Sequence, residues 1–162
     1  MLSLQTPIRA AVVSGTVASL ATSAILAVLA RSEGRGALQP TNATSHWVHG
    51  PRAGRQRSAD LSHTGVGFLT HHLSALFWAL PFHLWLARRP DRTAGEIARD
   101  AALTAALAAV VDYGVVPRRV TPGWEHALSK SSIAIAYLAL AAGLAAGALA
   151  VRGRDDHWSF AR

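Results

Sequence analysis

An all-α integral membrane protein is the fold class the sequence predicts: a single bundle of four transmembrane helices, with a short helix or ordered loop between the first two. Three observations predict it. Apolar residues make up 51% of the 162-residue chain and fall in four long blocks rather than a dispersed pattern. Arginines supply most of the net charge of +7 and lie mainly between those blocks, where lipid headgroups would meet them. Small residues recur at helical spacing inside the blocks, as in helices that approach closely within a bilayer.

The first span is expected at about 7–30. It carries no charge after Arg9 and presents Ser14, Gly15, Ser19, Thr22 and Ser23 as a packing face. Val28-Leu29-Ala30 resembles a signal-peptide cleavage site. A signal h-region is only about 7–15 residues long, so the block reads as a retained helix. A polar stretch follows at 31–61. In it Pro40-Thr41 opens a short helix with Thr41 as N-cap, and Gly50-Pro51 closes it. The Asn42-Ala43-Thr44 sequon carries little weight, being common by chance.

The second span, about 62–87, contains His63, His71, His72 and His83, and Pro81 near its far end. His71 shares a stripe with Thr64, Gly67, Ser74 and Trp78, which marks it as the inward histidine of the adjacent pair. Arg88, Arg89 and Arg92 form a short basic loop. The third span, about 93–116, opens with Thr93 and Glu96 at capping-box spacing. The fourth is expected at about 124–151 and carries Gly143 and Gly147 at GxxxG spacing. That pair is a candidate surface for a homo-oligomer or a larger membrane complex. A short charged tail with Trp158 follows.

Four spans put both termini on the side of the 88–92 loop. Eight Lys and Arg lie on each side, so their number sets no orientation. The density of the short 88–92 loop favours the cytoplasm for both termini and the cell inner membrane as the location. No nucleic-acid-binding motif accompanies the basic residues. With no cysteine, thiolate catalysis, Cys-ligated zinc and iron–sulfur clusters are excluded.

The ionisable residues of the bundle converge on the face reached by the 31–61 and 117–123 loops. His71 and His72 lie roughly 12–14 Å below His63, and Asp112 roughly 7–8 Å below Pro117, at the helical rise. Glu125, His126, His46 and His49 arrive at the same end. Ionisable groups at membrane depth are functional candidates by default. Imidazole and carboxylate ligands suit a divalent transition metal such as zinc, iron, manganese or copper. The expected ligands are His46, His71, Asp112 and Glu125, with His72, His49 and His126 as alternates. The structural alternatives are His71 and His72 as packing residues, and Asp112 paired with Arg118, Arg119 or Lys130. They also include Glu125 as an acidic helix start, the tryptophans as interfacial anchors, and a peripheral His83. No haem is expected, because the other spans lack core histidines. Neither a P-loop nor a nucleophile elbow is present.

Asn42-Ala43-Thr44-Ser45-His46-Trp47 with Gly50 is one motif. Asp112-Tyr113, Val116-Pro117, Arg119 and Thr121-Pro122-Gly123 with Glu125 form a second. Together they resemble a family of small, uncharacterised bacterial inner-membrane proteins with four predicted spans, over about residues 40–137. The resemblance implies location and class but no reaction, and draws attention to His46, Asp112 and Glu125. Three readings of function follow from the sequence. They are a metal-binding membrane protein, a non-catalytic accessory or assembly subunit, and a small oligomeric transporter or proton relay.

Overall fold

A computed structural model describes residues 5–159, with side-chain surroundings for residues 7–152; Arg154, His157, Trp158 and Arg162 fall outside the latter. Among the described residues the chain forms six α-helices, not four: α1 (Gln5–Ser32), α2 (Gln39–Thr44), α3 (His46–His49), α4 (Val66–Leu86), α5 (Ala94–Val110) and α6 (Lys130–Ser159). Four are long and two are short. Only two, Pro7–Ser32 within α1 and Lys130–Arg152 within α6, are long and apolar enough to cross a membrane. The expected bundle of four spans is corrected accordingly. His71, His72, His83 and Pro81 dilute the apolar run of α4. The regular part of α5 is 17 residues long and carries Glu96, Arg99 and Asp100.

The element boundaries have local causes. Asp60 accepts from the His63 amide at 2.6 Å and caps a π-helical turn, Leu61–Gly65, which runs into α4. Thr93 and Glu96 form the capping box that their spacing predicts. The fourth long helix starts at Lys130, later than the sequence suggests. Gly123 takes a left-handed φ of 81° and sets Trp124–His126 apart as a separate turn. The start of α6 is capped from a distance instead, by Glu33. Its carboxylate accepts from the Ser129 amide at 3.1 Å and from the hydroxyls of Ser129 and Ser132. Those hydroxyls hold Glu33 below the ordinary carboxylate range. Thr41 is not an N-cap: α2 begins two residues earlier, with Pro40 in its first turn.

α1 lies between α4 and α6, α5 packs on the far side of α6, and α4 and α5 meet only sparsely. The interfaces are made of small residues. A Cβ on Gly143 would strike the Ala18 backbone. One on Gly147 would lie 2.5 Å from Ser14 Cα. The small face of α6 is therefore taken by α1 of the same chain, running antiparallel to it.

Size is distributed inside out. Alanines dominate the core, with Ser14, Ser19 and Thr22 wholly buried among them. Phe77, Leu138, Val28 and Leu103 are 62–67% exposed. In water such an apolar surface on all four long helices would be costly and adhesive.

Candidate functional site

Three of the histidines serve the α1–α4 interface. Ser14 Oγ lies 2.7 Å from His83 Nε2, and Ser19 Oγ 2.8 Å from His72 Nδ1. His71 Nε2 donates to the Ser19 carbonyl at 3.3 Å. The small face of α1 thus supplies the oxygen atoms that make buried imidazoles tolerable on α4. His83 is buried and bonded, not peripheral.

The two sequence motifs fold onto each other. His46 Nδ1 and Nε2 face the carbonyls of Ala43 and Arg118, at 3.0 and 3.3 Å. The Trp47 indole donates to the Thr121 carbonyl at 2.8 Å. Gly123 closes the contact: a Cβ there would sit 2.5 Å from the Ala43 oxygen and 2.6 Å from His46 Nδ1. Asn42, with no exposed surface, holds the next loop. Its amide donates to the carbonyls of Gln56 and Ser58, and its Oδ1 accepts from Thr64. A Cβ on Gly67 would collide with the Thr41 carbonyl, so α4 starts directly against α2.

The carboxylates are engaged locally as well. Asp112 lies in a π-helical turn, Val111–Val115, that ends α5. Its Oδ2 accepts from the Tyr137 hydroxyl at 2.6 Å. Glu125 accepts from Thr121 Oγ1 at 2.5 Å and from the Tyr113 hydroxyl at 3.2 Å. His49 lies against His63 with ring centroids 4.4 Å apart, and His126 lies edge-on to His46. Among the described residues no three His, Asp or Glu side chains are grouped as a metal ion would need. The metal-ligand cluster read from the sequence is corrected on that finding. Its physical reason is that the fold separates the candidates: His71 and Asp112 line one cleft, while His46 and Glu125 are held at the 118–123 loop.

What the fold does bring together is a cleft of about 540 Å³ between α4, the 111–124 segment that follows α5, and α6. Leu73, Phe77, Trp78, Val111, Val116 and Leu140 supply much of its apolar wall. His71, Asp112, Trp124 and Tyr137 form its polar end. Of the four expected site residues, His71 and Asp112 line this cleft. His46 lies beneath the 118–123 loop and Glu125 on that loop's outer side, and neither reaches the cleft wall. Among the described residues no Lys or Arg lines it.

Trp124 is the residue that sequence reading undervalued. It is 3% exposed, and its indole N–H has no hydrogen-bond partner among the described residues. Its ring stands edge-on to His71 with centroids 5.5 Å apart. The available signal was its place beside Gly123 in the second motif. A second groove of about 570 Å³ lies between α5 and α6, walled largely by alanines, and has no such orphaned donor in its lining.

No family model, curated protein or solved structure matches the chain.

Proposed function

We propose that this is a membrane-embedded binding protein whose lateral cleft takes a membrane-borne amphiphile. In this reading α1 and α6 cross the bilayer as a close antiparallel pair, and the outward leucines, valines and phenylalanines face hydrocarbon. The density of the basic 88–92 loop supports a cytoplasmic side for both termini. One observation carries the reading: the cleft between α4, α6 and the 111–124 segment is apolar along its walls and polar at one end. A site of about 540 Å³ is within the usual range of roughly 300–1,000 Å³ for small-molecule pockets. An amphiphile already dissolved in the bilayer would enter sideways, and its polar end would stop at Asp112 and His71.

The test is quenching of tryptophan emission by a brominated fatty chain in detergent-purified protein. Trp47, Trp78 and Trp124 all line the cleft. Saturable quenching is expected for the wild type and should be lost in Ser74→Phe, which fills the cleft from the α4 wall. Non-saturable quenching, identical in the two proteins, would refute the reading.

A further inference from the structure

The polar end of the cleft has a definite hydrogen-bonding inventory. In the neutral His71 ring, donation from Nε2 to the Ser19 carbonyl leaves Nδ1 as an acceptor with no partner among the described residues. Asp112 commits Oδ2 to Tyr137, and its Oδ1 has no partner among the described residues. Trp124 contributes an unused N–H from a side chain that is almost wholly buried. Among the described residues the unused donors are therefore the Trp124 N–H and the Thr70 hydroxyl, and the principal unused acceptors are His71 Nδ1 and Asp112 Oδ1. Ser74 Oγ and Thr44 Oγ1, also in the lining, are spent on the Thr70 and Pro40 carbonyls.

Charge narrows the ligand further. Among the described residues Asp112 is the one carboxylate in the lining, and no Lys or Arg lines the cleft to offset it. An anionic headgroup placed here would lose water and meet a like charge. A hydroxyl suits the site better. Its oxygen can accept from Trp124 while its proton goes to His71 Nδ1 or Asp112 Oδ1.

We infer that the cleft selects an uncharged, hydroxyl-headed, single-chain amphiphile of the monoacylglycerol or long-chain alcohol class, and rejects phosphate-headed lipids of the same chain. This rests on the cleft being a binding site at all, and the experiment separates the two claims. The full-length protein in detergent is titrated with monooleoylglycerol and, separately, with oleoyl lysophosphatidate. The two share a chain and differ by the phosphate. Binding is read by native mass spectrometry, for wild type, Trp124→Phe, Asp112→Asn and Ser74→Phe, each checked for an unchanged melting temperature.

Monooleoylglycerol should bind the wild type at least about tenfold more tightly than the lysophosphatidate. Trp124→Phe should weaken the glycerol lipid about fivefold, as the loss of one neutral hydrogen bond does, and leave the phosphate lipid unchanged. Asp112→Asn should narrow the discrimination. Should Trp124→Phe lower the melting temperature, His71→Phe replaces it as the headgroup variant, with the same expected weakening. Equal or tighter binding of the lysophosphatidate, abolished by Ser74→Phe, would overturn the headgroup inference and leave the cleft standing. Binding of neither lipid, or binding indifferent to Ser74→Phe, would overturn both.

Discussion

Replacing Asn42 with alanine removes three hydrogen bonds from a side chain with no exposed surface. The amide donates to the Gln56 carbonyl at 2.9 Å and the Ser58 carbonyl at 3.1 Å, and Oδ1 accepts from Thr64 at 2.6 Å. Each bond contributes about 1 kcal/mol net, and water can reach the freed carbonyls near the surface, so the loss is about 3 kcal/mol. At about 2–4 °C per kcal/mol for a chain of this size, the melting temperature should fall by about 6–12 °C. Asn42→Asp is the sharper probe. It keeps the acceptor for Thr64 but turns a carboxylate oxygen toward two carbonyls. That substitution raises the pKa of the new acid in the folded state, so its penalty is full at neutral pH and shrinks as the pH falls and the acid protonates. Thermal unfolding in detergent, with amide exchange across residues 56–65, reads both variants. An Asn42→Ala change under about 0.5 kcal/mol, or an aspartate tolerated at neutral pH, would show that Asn42 does not hold this loop.

Asp100 receives Arg92, Arg99 and the Trp85 indole, and Arg92 and Asp100 are only 5% and 3% exposed. Asp100→Ala strands a buried guanidinium and should cost about 3–5 kcal/mol in unfolding experiments; Asp100→Asn should cost less, since it keeps an acceptor for Trp85. Gly143→Val drives a side chain into the Ala18 backbone and should destabilise by about 3 kcal/mol, as overpacking does where backbone cannot yield. An unchanged melting temperature would mean that α1 and α6 do not meet there. The Asp60 carboxyl is pulled from 3.8 down to about 2 by the His63 amide and the Gln56 side chain. Its contribution to the start of α4 is therefore complete above about pH 4 and lost as the pH falls through about 2. Amide shifts of residues 61–65 should move in that window in the wild type and stay flat in Asp60→Ala.

Much of the helical frame is legible in the sequence, because long apolar blocks, a capping box and the small face of α1 are local signals. Thr93 with Glu96, and Ser14 with Ser19, act as their spacing implies. The breaks at 123–130 are not legible, because they depend on contact between two distant segments. Gly123 must fit under Ala43, and Glu33 must reach Ser129. The site was half legible for a related reason. Counting histidines and carboxylates at one end of the bundle finds His71 and Asp112. It cannot show that the fold holds His46 and Glu125 at the 118–123 loop and out of the cleft wall that His71 and Asp112 share. Trp124 was visible only as an aromatic residue. Its significance is an unpartnered N–H, which only packing reveals.

The most direct test of the cleft is photocrosslinking of the full-length protein in proteoliposomes with a monoacylglycerol that carries a diazirine on its chain. If the amphiphile enters the cleft between α4 and the 111–124 segment, labelling will include Leu140, which is 4% exposed and lines the cleft wall, together with Trp78 and Val111. Competition by unlabelled monooleoylglycerol will remove it. Labelling confined to outward residues such as Leu20, Val28 and Leu103, and untouched by competitor, would contradict a binding cleft.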